Sequence, residues 1–347
     1  MSKRKARTNG RPGSSQAVLM SDVAGAAGVS VMTVSRALRQ PEKLSEETRK
    51  AVLDAVRKIG YVPNRIAANL ASNQSNVVGQ IVPSIQNSLY SDMVKGTADV
   101  LRTAGLHLML ADSGHSIDEE EALIGAFLAQ RVRGLLLHGT NHTPRALQMV
   151  RQAGVPIIET GDFTRNPIDM CVSYSNFDAS KAMTLHLAAR GYRSIGFVSL
   201  ATKANPRARA RLKGYCAALK ALGRPQNPAL MCEAPPGFSS GAHAMVDMIA
   251  RVPSVDVIFF AGDVLAIGAL FEAQRRGWKV PGRIAIAGFD DLDILDHSVP
   301  KVTSLRLPRL EIGRQGAEAL LTRLQGQTTH KPVRLDLGFE IIQREST

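Results

Sequence analysis

Within six residues, Val31, Met32, Thr33, Ser35 and Arg36 offer the chemistry of reading a base edge. An arginine forks onto the two acceptors of guanine, small hydroxyls reach phosphate oxygens, and apolar groups touch a thymine methyl. The stretch is neither acidic nor lysine-rich, as an ordinary solvated helix face would be. A second set suits a small polar ligand. Arg207 and Arg211 are four residues apart and share a helix face, with Arg209 roughly opposite. Two guanidiniums near a helix start favour an anion through charge and unpaired backbone N–H groups together, the competing reading being a solvated arginine face. Asp263 and Asp290 follow apolar runs, where an aspartate accepts hydrogen bonds from adjacent hydroxyls. Ser84, Asn87, Leu89 and Tyr90 follow another such run, and His138 a third, with Asn141, His142 and Arg145 close behind. Glu159 and Asp162 flank the end of a fourth, with a surface or capping role as the alternative, and Phe238 suits a wall.

Catalysis is not what these residues suggest. Gly237-Phe238-Ser239-Ser240-Gly241 formally matches a nucleophile elbow, but that motif needs a strand leading directly into the serine. Pro235-Pro236 stands there instead, which no central strand tolerates. The histidines lack metal-ligand spacing, and there is no phosphate loop of the Walker type. Cys171, Cys216 and Cys232 are too scattered for a disulfide framework or a zinc knuckle. No catalytic residue, metal or cofactor is expected.

The elements that must position these groups fall into two styles. Around the base-reading stretch the pattern is two short helices about a tight turn. Ser21 is expected to cap the first, Gly28 to end it, and Ser30 to cap the second. Val23, Ala24 and Ala27 share one face, and Val34, Ala37 and Leu38 another, which makes a helix-turn-helix; two helices of an ordinary bundle are the alternative. Ser45-Glu46-Glu47-Thr48 starts a third helix, ended by Gly60. Pro63 opens a short fourth segment in which Leu70 has almost no core to bury it. That leucine is either a linker accident or a wedge for the minor groove.

From Val77 the pattern alternates. Apolar runs 77–82, 106–111, 134–137, 155–158, 195–199, 257–261 and 284–288 read as buried parallel strands, with helical segments between them. Two series of this rhythm predict two doubly wound α/β lobes, with a ligand in the crevice outside the strand ends.

The 347 residues are 44% hydrophobic and carry a net charge of +13. Residues 1–72 hold 13 Lys+Arg against 5 Asp+Glu, so most of the positive field lies at the helix-turn-helix end and points to a polyanion. Residues 1–16 are basic and rich in Gly and Ser, read as a disordered tail that tracks phosphates or merely solubilises. No signal-peptide core or bilayer-length apolar run is present, so a cytoplasmic protein with no membrane partner is expected.

Asp22-Val23-Ala24, Gly28-Val29-Ser30, Thr33-Val34-Ser35-Arg36, Gly60-Tyr61, Pro63-Asn64, Ala67 and Leu70 together resemble the headpiece and hinge of the LacI/GalR (lactose-repressor) family. The resemblance extends through the chain. It implies that Val31, Met32 and Arg36 read bases, that Ser30, Thr33, Ser45 and Asn64 hold phosphates, and that Leu70 is the minor-groove wedge. Val31 and Met32 stand where many members carry polar readers. The sensor core would have the type I periplasmic-binding-protein fold. The implied domains are a tail at 1–16, a helix-turn-helix domain at 17–62, a hinge helix and linker at 63–76, and a two-lobed core at 77–347. The N-lobe would take about 77–174 and 305–330, and the C-lobe about 175–304 and 331–347.

Arg211, in Arg-Leu-Lys-Gly-Tyr, and Asp290 match residues that bind effector hydroxyl or carboxylate groups in the family. Two departures stand out: Gly262 where the family usually has Asn, and Gly161 where many members have Asp. Thr143-Pro144-Arg145, Pro167-Ile168-Asp169, Ser175-Asn176-Phe177 and Asp336-Leu337-Gly338-Phe339 resemble the gluconate-utilisation repressors. The likeness implies a homodimeric regulator on a pseudopalindromic operator, released by an anionic sugar acid such as gluconate or a ketogluconate. An effector acting as co-repressor, a neutral sugar or nucleobase as effector, and a plain solute-binding protein are the alternatives.

Overall fold

The computed structural model describes residues 18–62, 75–86, 88–203, 205–326 and 332–347. Asn64, Leu70 and Asn87, the 1–16 segment and most of the 63–76 linker lie outside the described residues. The chain divides into two compact units, Met1–Asn73 and Gln74–Thr347.

In the first unit, α1 (Met20–Ala27), α2 (Val31–Arg39) and α3 (Glu46–Ile59) enclose a small core of Val23, Val34, Val52, Ala55 and Tyr61. Each fully buried valine contributes roughly 1.5–3 kcal/mol, so few side chains carry this unit. Gly28 ends α1 at φ +65°, a left-handed conformation that glycine adopts without a Cβ clash. Ser30 and Ser45 cap α2 and α3 by accepting from Thr33 N and Thr48 N. The expected cap at Ser21 is not the one used. The helix starts two residues earlier, at Met20 with Leu19 at the cap position, and Asp22 Oδ2 accepts from Leu19 N at 2.8 Å.

The second unit holds two parallel sheets. The first runs β11-β5-β4-β3-β1-β2, formed by Val333–Asp336, Met170–Ser173, Ile157–Glu159, Leu135–Leu137, Val77–Val82 and His107–Asp112. The second runs β7-β6-β8-β9, formed by Met231–Glu233, Ile195–Ser199, Val257–Phe260 and Ala285–Ala287. Around the first sheet lie α4 (Ser91–Thr103), α5 (Ile117–Ala129), α6 (Pro144–Ala153) and α12 (Arg309–Leu324). The second carries α7 (Asn176–Ala189), α8 (Pro206–Ala221), α9 (Phe238–Arg251), α10 (Asp263–Arg275) and the short α11 (Ile294–His297). An antiparallel pair, β10 (Ser304–Arg306) with β12 (Glu340–Ile342), completes the crossings between lobes.

The lobe boundary placed at residue 331 needs correction. Val333–Asp336 pairs in parallel with Met170–Ser173, and Leu337 N continues the ladder to Ser173 O at 2.8 Å, so this stretch belongs to the N-lobe. Only the residues beyond it return to the C-lobe, where Ile286 N donates to Ser346 O at 3.1 Å. The strand edge is short and largely exposed, so its apolar signal is weak; hydrogen-bond register, not burial, places it.

Three helix pairs pack backbone to backbone. A methyl group on Gly96 of α4 would strike the Leu310 carbonyl of α12, and one on Gly313 would strike Met93 O. Gly214 of α8 lies likewise against Phe177 O of α7, and Gly241 and Gly268 bring α9 and α10 together. Only hydrogen fits at these crossings.

One aromatic stack leads from the C-lobe core to the crevice. Phe197 stacks on Tyr215 with centroids 4.9 Å apart and meets Phe259 edge-on at 5.6 Å; Phe259 in turn lies 6.3 Å from Phe289. All four rings are fully buried. The stack gives Phe289 a fixed place, and Phe289 is the floor on which the ligand-facing groups rest.

Candidate functional site

The outward face of α2 matches the expectation closely. Val34 and Ala37 are buried, while Met32 is 71% and Val31 47% exposed and Arg36 is also exposed. Two apolar side chains held in water beside an arginine are costly to leave uncovered, and they suit a groove. Ser30 Oγ accepts from Thr33 N at 3.1 Å and lies 2.9 Å from Thr33 Oγ1. Ser45 Oγ sits the same way against Thr48. Each expected phosphate-holding serine is therefore a helix cap first, and its hydroxyl stands at a helix N-terminus where an anion is favoured.

Between the lobes of the second unit lies a cleft of about 790 Å³, bordered by Ser84, Leu89, Tyr90, Arg207, Arg211, Phe238, Asp263 and Asp290. Two smaller recesses, of about 60 and 40 Å³, open on either side of His138. Arg207 borders all three spaces. Most of the expected effector residues are thus brought together, by strand ends and by the first turns of α8, α9 and α10.

Arg211 is held almost completely by protein. Nε donates to Asn176 Oδ1 at 2.7 Å, one terminal nitrogen to Ala261 O at 2.8 Å, and the other to Tyr174 OH at 3.4 Å. The guanidinium carbon lies 3.6 Å above the Phe289 ring, and Asp290 Oδ1 is 4.0 Å away. Asp290 adopts φ +121°, a strained conformation for any residue with a Cβ. Its backbone is held on both sides: Asp290 N donates to Leu305 O at 2.9 Å, and Arg309 donates to Asp290 O. Burial raises the Asp290 carboxyl, with Arg211 pulling against it.

Asp263 is fully buried at the start of α10. It accepts from Leu292 N at 2.8 Å and from Ser304 Oγ at 2.9 Å, and burial followed by the charge of Asp290 pushes it up to about 7. Its oxygens face the protein, so it braces the Asp290–Leu292 turn. Gly262 beside it leaves open space where a side chain would stand.

Arg309 pairs with Asp92 at 3.3 Å. Arg207 differs from both other arginines. It donates to the His138 carbonyl at 3.1 Å across the cleft, and among the described residues no carboxylate pairs with it. His138 is held neutral: burial, then the charges of Arg207 and Arg211, push its imidazole well below the usual range.

Glu159 is not brought to the cleft. It shares the pleat face of Ile157, which points into the N-lobe core, and it lines none of the three spaces. Its carboxylate accepts from Ile168 N at 2.5 Å and stands 3.5 Å from His142 Nε2. His142 Nδ1 meets Glu120 at 2.6 Å. Burial lowers the imidazole, but hydrogen bonds and charge from Glu120 and Glu159 outweigh it and bring it to about 9. Asp162 uses Oδ1 to accept from Asn176 N and Nδ2, both at 3.0 Å, and borders the recess of about 60 Å³ beside His138.

The sequence reading missed Asn176, Tyr174 and Arg309. Asn176 and Tyr174 flank a lobe crossing rather than a strand end facing the crevice, and Arg309 starts a helix that no apolar run announced.

Among known proteins, the family "Bacterial regulatory proteins, lacI family" matches residues 19–64, and a periplasmic binding protein-like domain matches residues 184–347. The Pseudomonas aeruginosa HTH-type transcriptional regulator GntR is 40% identical over 343 residues, covering 98% of this chain and 97% of that one. A LacI-family transcriptional regulator from Silicibacter pomeroyi superposes with a TM-score of 0.87 at 31% identity, over 95% of this chain and 99% of that one. The lac repressor dimer bound to operator and the anti-inducer ONPF superposes with a TM-score of 0.81 at 25% identity, over 95% and 99% of the two chains.

Proposed function

The chain belongs to the lacI family of bacterial regulatory proteins, a DNA-binding transcriptional regulator and not an enzyme, and from that premise we propose that it is a dimeric repressor released from its operator by a small sugar acid. Arg207 carries this reading. Arg211 faces Asp290 and Arg309 is paired with Asp92, so Arg207 is left as uncompensated positive charge on the cleft wall. A ligand bearing one carboxylate balances it, and hydroxyls on the same ligand meet Asp290, Ser84 and His138. Gluconate and the ketogluconates have this chemistry.

Operator contact is assigned to Val31, Met32 and Arg36 for bases and to Ser30, Thr33, Ser45 and Asn64 for phosphates, with Leu70 as the minor-groove wedge. Closing the lobes on the acid would shift the dimer and withdraw the wedge. A duplex selected from genomic fragments by the purified protein, labelled and followed by fluorescence anisotropy, tests the proposal. Release by gluconate or a ketogluconate, and not by glucose, is expected. Tighter operator binding on adding the acid would reverse the sign to co-repression, and release by a neutral sugar alone would remove the sugar-acid assignment.

A further inference from the structure

Arg207 and His138 stand side by side across the cleft, joined by the 3.1 Å bond from the guanidinium to the His138 carbonyl, and both border the two small recesses. The imidazole is fixed in orientation. Its Nδ1 lies 3.1 Å from Thr160 Oγ1, and the ring meets Tyr90 edge-on with centroids 4.9 Å apart. Its Nε2 lies over Gly161, at φ +85°, where a Cβ would stand only 2.6 Å away. Glycine at 161 is therefore what makes room for histidine at 138.

The proton has a preferred side. Thr160 Oγ1 is within 3.3 Å of the Leu137 carbonyl, to which it donates, leaving its lone pair to accept from Nδ1–H. The cavity side of the ring shares its recess with Arg207 and Arg211, and a lone pair facing two cations is favoured over an N–H dipole facing them. Nε2 makes no hydrogen bond with any described residue.

We propose that Arg207 and His138 together select a 2-hydroxy acid, Arg207 taking the carboxylate and the Nε2 lone pair accepting from the hydroxyl on the adjacent carbon. The inference rests on the sugar-acid reading above and sharpens it. A 2-oxo acid of the same length offers an acceptor where the site also offers one, and the two lone pairs repel. The site is thus built to separate an aldonic acid from its 2-keto derivative.

Calorimetric titration of the full chain with gluconate, 2-ketogluconate, 2-deoxygluconate and glucose decides it. Gluconate is expected to bind about tenfold or more tightly than either acid lacking the 2-hydroxyl, the scale of one satisfied against one mismatched hydrogen bond. His138→Phe keeps the ring and removes the acceptor, and should bring the three acids to within about threefold of each other. Thr160→Val, which frees the tautomer, should narrow the preference without that packing change. If 2-ketogluconate binds as tightly as gluconate or more so, the division of labour is wrong while the sugar-acid reading stands. An equal loss for all three acids in His138→Phe has the same meaning. If glucose alone binds, or none of the four does, the sugar-acid reading itself falls and this inference with it. The wild-type series decides even where a variant does not fold.

Discussion

Arg211 is a residue whose importance comes from how little of it is free. Its donors are used on Asn176, Ala261 and Tyr174 and its face on Phe289, so it acts as the fixed post of the cleft wall. Arg211→Ala is expected to abolish the response to sugar acid while operator affinity stays within about twofold, as checked by anisotropy with and without effector. Loss of operator binding would make the residue structural only. Gly161→Ala combines a left-handed φ with a collision at His138, and should cost about 1–2 kcal/mol in the melting transition and weaken sugar-acid binding as well. His142 gives a pH signature. Its folded pKa of about 9 lies above the ordinary 6.5, so the bound proton stabilises the fold fully below pH 6.5, and that contribution is lost as pH rises through 9. A melting-temperature profile should fall between pH 7 and 10 and flatten in His142→Gln. Arg211 and Asp290 were legible because a motif and a strand end mark them. Glu159 was misplaced because a strand-end rule cannot say which pleat face the last residue takes, and here it shares the inward face of Ile157.

At the scale of elements, short helices in the first unit depend on their caps, since only a few valines and alanines form the core. Ser30→Ala removes the bond to Thr33 N and should lower the stability of that unit by about 1 kcal/mol, read as an earlier melting step in heteronuclear NMR. The helix-turn-helix and most of the parallel strands were legible in the sequence, the first from its glycine and serine punctuation, the second from unbroken apolar runs. Met170–Ser173, Ser304–Arg306 and Glu340–Ile342 were not read as strands. Each includes a polar or charged residue, which breaks the apolar run that marks equally short strands such as Leu135–Leu137 and Ala285–Ala287. Arg309–Leu324 escaped for another reason. Its inner face includes Gly313, Gly316 and Ala317, small residues chosen for close approach, and they erase the apolar stripe by which a helix is recognised.

At the scale of the molecule, positive charge is concentrated in residues 1–72, and operator affinity should fall steeply with salt, on the order of a thousandfold or more between 50 and 200 mM if six or more phosphates are contacted. A shallow slope would argue that apolar contacts from Val31 and Met32 dominate. The second unit has a mechanical property of its own. Where two helices touch through glycine, no cushion of side chains lies between them, and the pair must turn like a single machined part. Distance rulers placed on α4 and α12, or on α9 and α10, should therefore hold constant when ligand enters, while rulers spanning α4 and α9 change length. Replacing one hydrogen by a methyl at such a crossing would put play into the gearing: the sensor would still grip its ligand, but the grip would no longer be felt at the other end.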